Sequence, residues 1–128
     1  MALKLRFYRC NTCGNIVQVF IDGPGELVCC GKEMELLEPQ VNDTGSEKHV
    51  PYFETLEDGS QIIKIGSELH PMVEEHYIQF IESLSADKKI LYIEFFEPNQ
   101  SAVIKNNIGA TKAFEYCNMH GLWEGNND

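Results

Sequence analysis

The chain has 128 residues, 43% of them hydrophobic, and a formal net charge of −10. That length makes one ordinary domain or two small ones, and the apolar fraction argues against disorder. The acidic balance makes nucleic acid and anionic membranes poor partners, leaving basic proteins, small molecules or simple solubility as its meaning.

Residues 1–37 read as a cysteine-rich unit. Leu3, Leu5 and Phe7 alternate with Lys4, Arg6 and Tyr8, the pattern of a half-buried strand, and Ile16 to Ile21 reads as a second strand. Asp22-Gly23-Pro24-Gly25 is a turn. A unit below about 40 residues rarely buries enough apolar surface to fold unaided, so this one needs a staple. The N-terminal MALKLRFYRC has no apolar stretch or small-residue cleavage site of a secretory signal, and no run approaches the ~20 apolar residues that span a bilayer. A cytoplasmic protein is the expectation, and the odd count of five cysteines fits a reducing compartment.

Residues 38–46 (EPQVNDTGS) are polar and read as a linker. From residue 47 to 128, short strand-like runs recur between turns. Tyr52–Leu56 and Gln61–Ile65 flank Glu57-Asp58-Gly59-Ser60, a hairpin signal. Tyr77–Ile81, Ile90–Phe96, Ala102–Lys105 and Lys112–Tyr116 follow, and no helical period lasts ten residues. About 80 residues of short strands suffice for a seven-strand immunoglobulin-like sandwich.

Two constellations carry chemistry. Cys10, Cys13, Cys29 and Cys30 form C-x2-C and C-C pairs, each followed by glycine (Gly14, Gly31) where the backbone must turn sharply near sulfur. Four thiolates suit a tetrahedral centre holding iron or zinc, and adjacent cysteines diverge, so the tetrahedron is expected to be distorted. In so small a unit, binding free energy becomes folding free energy. The second constellation gathers the four histidines, His49, His70, His76 and His120, with Cys117. Each sits at a strand end or in a turn, and loops at one end of a sandwich can converge. Cys117-x2-His120 is its sharpest element. Structural zinc stops at four ligands, so four imidazoles and one thiolate favour iron in a pyramidal site with one position open for a small substrate.

At these residues the chain resembles the desulfoferrodoxins, the two-iron form of superoxide reductase. The matching segments are Y-x-C-x2-C-G-N at Tyr8–Asn15, E-L-V-C-C-G at Glu26–Gly31, E-K-H-V-P at Glu47–Pro51, H-P-M-x3-H-Y at His70–Tyr77 and C-N-x-H-G-L-W at Cys117–Trp123. The resemblance implies a mainly β protein: a desulforedoxin-like N-terminal domain stapled by an Fe(Cys)4 centre on Cys10, Cys13, Cys29 and Cys30, and an immunoglobulin-like antiparallel β-sandwich with a catalytic iron. It implies His49, His70, His76 and His120 as equatorial ligands and Cys117 as the axial one. It also implies one-electron reduction of superoxide to hydrogen peroxide, with rubredoxin or a similar protein as donor, in a cytoplasmic homodimer. Glu47 and Lys48 are the catalytic candidates beyond the ligands: Lys48 adds positive charge beside His49, and the family suggests that Glu47 occupies the sixth position after turnover. Pro51 and Pro71 are read as stiffening ligand loops, and Trp123 as packing. Two other readings stay open from the residues alone: a metal-binding regulator with a zinc ribbon, and a two-iron electron carrier without a substrate.

Overall fold

The computed structural model describes residues 5–43, 48–66 and 70–127. The chain divides into two compact units, Met1–Glu38 and Pro39–Asp128. Among the described residues every regular element is a β-strand and every pairing of strands is antiparallel. No helix is long and apolar enough to cross a membrane.

In the first unit β1 (Arg6–Arg9) pairs with β2 (Ile16–Val19) on one side and β5 (Glu35–Leu37) on the other, while β3 (Val28–Cys29) and β4 (Lys32–Glu33) form a separate hairpin. Leu3 and Lys4, part of the expected first strand, lie outside the described residues. The strands β3, β4 and β5 were not legible as alternation, because two or three residues are too few to show a period. The buried apolar side chains described in this unit are Phe7, Cys10 and Met34. So small a core matches the expectation that something else must hold the unit together.

The second unit is a sandwich of a three-stranded and a four-stranded sheet. The first sheet has the order β10-β7-β6, from β6 (Pro51–Thr55), β7 (Gln61–Ile65) and β10 (Val103–Asn106). The second has the order β12-β11-β8-β9, from β8 (Ile78–Ser85), β9 (Leu91–Phe95), β11 (Ala110–Cys117) and β12 (Gly121–Asn126). The seven strands are the expected antiparallel sandwich. Ile63 and Ile65 of β7, Ile104 of β10, Ile78 and Ile81 of β8, and Ala113 and Cys117 of β11 share one core cluster. Burial of such branched side chains contributes about 1.5–3 kcal/mol each.

Two features position the site. Pairing of β11 with β8 shifts register between Tyr116 and Cys117, so Cys117 faces Ile78 rather than Gln79. That irregularity lets both Ile78 and Ile81 point inward and aims Cys117 at the end of the core. At Gly125 a Cβ would run into the backbone of Pro51, the first residue of β6. Glycine there lets β12 and β6 approach at the end of the sandwich where His49 enters.

Candidate metal centres

The first centre is built by two tight turns. Gly14 N–H donates to Cys10 O at 2.9 Å and Cys10 N–H donates to Asn15 O at 2.9 Å, closing the turn that carries Cys10 and Cys13. Gly14 has φ +84, as its place in that turn requires. The adjacent pair Cys29 and Cys30 converges rather than diverges because Cys30 takes φ +54 and Gly31 φ +74. A left-handed non-glycine residue costs of order 1–3 kcal/mol and persists where the surroundings over-determine it. The four sulfurs all lie within 4.8 Å of one another, a group able to hold a metal ion.

The backbone N–H groups of Cys13 and Thr12 point at Cys10 and hold its thiol well below the ordinary value, at about 6. Hydrogen bonds from the neighbouring thiols of Cys13 and Cys10 have the opposite effect on Cys30, which is pushed up to about 12, and Cys29 is raised for the same reason. Without metal, Cys10 is the thiolate and Cys29 and Cys30 keep their protons at neutral pH. Metal capture must therefore expel a proton from each of these two, so affinity rises with pH from about 6 towards 12 and falls as the medium is acidified. Calorimetric zinc titration in buffers of different ionisation enthalpy is expected to read a release of at least two protons per metal at pH 7, those of Cys29 and Cys30. A release near zero would contradict the protonated state of these thiols.

The second centre lies at one end of the sandwich. The rings of His49, His70, His76 and His120 form a closed square, with centroid separations of 4.6, 4.8, 4.9 and 4.9 Å round the perimeter. The diagonal from His49 to His76 is 6.5 Å, close to that of a square with such sides, and those two opposite rings are tilted by 29°. Adjacent rings stand at 68° to 81°. The Cys117 sulfur and a ring nitrogen from each of His49, His70 and His76 all lie within 4.8 Å of one another. His120 is not one of that group of four, but its ring completes the square. Cys117 is fully buried, His49 and His70 are buried, His76 is half-buried and His120 is exposed. The thiol thus approaches from the core, and the imidazoles lead outward to solvent.

Local hydrogen bonds aim the donors. His70 Nδ1 lies 2.7 Å from Pro71 O, and a carbonyl only accepts, so Nδ1 carries the proton. That leaves Nε2 as the donor atom of a neutral ring, as a metal ligand needs. The Asp43 carboxylate accepts from the backbone N–H of both His49 and Val50. Gln40 donates through Nε2 to His120 O at 2.8 Å, and its backbone bonds Leu122 O and Glu124 N–H. Trp123 stacks on His49 at 4.7 Å and 14°, and its Nε1–H donates to His120 O at 3.1 Å. The expected packing residue thus packs against the site itself. Gln40 and Asp43 lie in the segment read as a linker, and nothing in their sequence context signalled these bonds.

Lys48 directly precedes His49 and is half-buried against the Gly66 backbone. Glu47, the other catalytic candidate, lies outside the described residues. Glu115 was not singled out in the sequence. It pairs with Trp123 and Ile81, faces inward with Cys117, and is fully buried, and neither carboxyl oxygen has a hydrogen-bond partner among the described residues. Burial, reinforced by the charge of Asp43, pushes its carboxyl well above the ordinary range. Strict alternation with Ala113 and Cys117 was the signal that could have found it.

The donor sets fit the two iron ions the sequence reading called for: four thiolates in one group, imidazoles with a single thiolate in the other. Fold and sites together define a two-centre, all-β metalloprotein. Sequence models of the desulfoferrodoxin N-terminal domain and of desulfoferrodoxin match residues 2–37 and 41–126. Desulfoferrodoxin of Desulfarculus baarsii is 46% identical over 129 residues, covering 99% of this chain and 100% of that protein. A superoxide reductase of Pyrococcus furiosus is 33% identical, covering 64% of this chain and 88% of its own length. The crystal structure of the superoxide reductase from Treponema pallidum shares the fold, with a TM-score of 0.78, 20% identity, and coverage of 97% of this chain and 99% of that one. The chain belongs to the desulfoferrodoxin family.

Proposed function

We propose that the chain is an iron-dependent superoxide reductase. It takes superoxide, one electron and two protons to hydrogen peroxide at a centre held by His49, His70, His76, His120 and Cys117, with a second iron on Cys10, Cys13, Cys29 and Cys30. The observation that carries the reading is the square of four imidazole rings over a buried thiol. Five donors so arranged leave one face uncovered, a place for a small ligand that a closed four-ligand site lacks. The name borne by the Pyrococcus furiosus relative supports the same substrate.

Ferrous iron in that site supplies the electron and a positive charge that attracts an anion. The chain does the rest. Four neutral imidazoles add no charge, and the single thiolate of Cys117 leaves the core cationic. Cys117 donates from the apolar side, where water is excluded and its effect is least screened. Lys48, beside His49, draws superoxide through a field that the acidic chain otherwise makes repulsive. Glu47 would offer its carboxylate to the bound iron once product has left. Rubredoxin or a similar protein returns the electron, and we place the enzyme in the cytoplasm as a homodimer.

The test is a pulse of superoxide on the fully reduced two-iron protein. The expected result is one hydrogen peroxide per oxidised imidazole-bound iron, without dioxygen. Release of dioxygen, or no consumption above buffer, would overturn the reading. Lys48→Ala is expected to slow superoxide capture about tenfold at low salt and to flatten its salt dependence, because the attracting charge is gone. Pulse radiolysis across a salt series reads both.

A further inference from the structure

The turn that follows Cys117 holds a residue whose side chain reaches away from the donors towards a second ligand turn. Asn118 Oδ1 accepts from Tyr77 N–H at 2.9 Å, its Nδ2 donates to Glu75 O at 3.1 Å, and its own N–H donates to Tyr77 O at 3.2 Å. Glu75 and Tyr77 bracket His76, and Asn118 lies between Cys117 and His120. Three hydrogen bonds from one residue thus lash the His76 turn to the Cys117–His120 turn, across 41 to 43 residues of sequence. The orientation of the amide is fixed by its partners, since a backbone N–H only donates and a carbonyl only accepts.

The His76 turn has a small frame of its own. Val73 and His76 exchange backbone hydrogen bonds of 3.0 Å around the exposed corner Glu74-Glu75. That hairpin fixes its shape and leaves its placement over Cys117 to other contacts. Asn118 is exposed, so its side chain adds little by packing, and hydrogen bonds that compete with water contribute only about 1 kcal/mol each to stability. What they decide is geometry. An amide presents its acceptor to Tyr77 and its donor to Glu75 from two separate atoms, where a hydroxyl has a single atom for both.

We infer that Asn118 is a positioning residue that sets His76 against Cys117 and His120 and so holds the imidazole–thiolate centre closed round its metal. The inference rests on the metal-centre reading above. Alanine at 118 removes both side-chain bonds. Aspartate keeps the acceptor for Tyr77 but sets a carboxylate oxygen against the Glu75 carbonyl.

The four-cysteine centre is an internal control for the experiment. Iron-loaded wild type, Asn118→Ala and Asn118→Asp are challenged with EDTA while the absorption of each centre is followed, and unfolding midpoints are measured alongside. Asn118→Ala is expected to release iron from the imidazole–thiolate centre about tenfold faster or more, with a shifted thiolate-to-iron band and an unchanged rate at the four-cysteine centre. Asn118→Asp is expected to recover unfolding midpoint more than iron retention. Release within about twofold of wild type in both variants, with the band unshifted, would overturn the inference. So would a loss at both centres that tracks the unfolding midpoint in both variants, the mark of a general stabiliser. A wild-type chain that holds only the four-cysteine iron would overturn the metal-centre reading itself, and this inference with it.

Discussion

Cys117→Ala is expected to leave the chain with one iron instead of two. Cys117 is fully buried, belongs to the core cluster, and offers a sulfur within 4.8 Å of ring nitrogens from three histidines. Its removal takes away the single anionic donor and leaves only neutral imidazoles round a divalent cation, so affinity is expected to fall 100-fold or more, the upper end of what lesser changes round a metal cost. The fold should survive. Deleting one sulfur leaves a small cavity beside Ile78, a loss of about 1 kcal/mol. The four-cysteine centre should remain loaded, because all its ligands lie within the unit Met1–Glu38. Elemental analysis with far-ultraviolet dichroism separates the outcomes: one iron per folded chain and no superoxide consumption is expected. Two irons with wild-type turnover would remove Cys117 from the centre.

The cysteines and histidines that the fold gathers were legible as candidate donors because their chemistry is rare. Five cysteines and four histidines in one acidic chain leave few arrangements, and C-x2-C followed by C-C names its own partners. The sandwich was legible where buried and half-buried residues alternate, as in Gln61–Ile65. Elsewhere burial hid the pattern. The strand expected to end at Ile81 runs on to Ser85, because β8 lies between β11 and β9 and its Glu82, Ser83 and Ser85 are buried. Polar residues inside a central strand carry the composition of a loop and the geometry of a sheet. β12 escaped notice for a related reason: GLWEGN holds two glycines, and six register pairs with β11 define it rather than its own propensity. The supports of the site were the least legible. Gln40 reaches the carbonyl of a residue eighty positions away, and Asp43 cradles His49 from within a polar stretch. Such bonds depend on where the chain returns, which local composition does not encode. Glu115 is the opposite case, since its inward facing followed from period two, but a buried carboxyl contradicts the ordinary preference for solvent.

Gly66→Ala is expected to damage the imidazole–thiolate centre without touching a ligand. Gly66 has φ +74, and a Cβ there would stand 2.7 Å from the Lys48 carbonyl oxygen and closer still to the Lys48 Cβ. Its N–H also donates to Val50 O at 3.0 Å, so the backbone on either side of His49 is pressed against this one glycine. Gly59 gives the comparison. It too is left-handed, at φ +88, but a Cβ there would meet nothing within 4 Å. Alanine at 59 therefore adds only conformational strain, about 1 kcal/mol. Alanine at 66 adds that strain and a collision with backbone that no rotamer change relieves, so a loss of about 3 kcal/mol is expected, together with displacement of Lys48 and His49. Urea unfolding of the two variants reads the difference in stability, and iron content reads the displacement. The sharper sign is at the site: Gly59→Ala should keep both irons and its superoxide kinetics, while Gly66→Ala should lose iron from the imidazole–thiolate centre or slow capture as Lys48→Ala does. Equal stability and equal iron in the two variants would mean that the Lys48–His49 segment yields freely, and that the close approach at Gly66 does not set where the first imidazole stands.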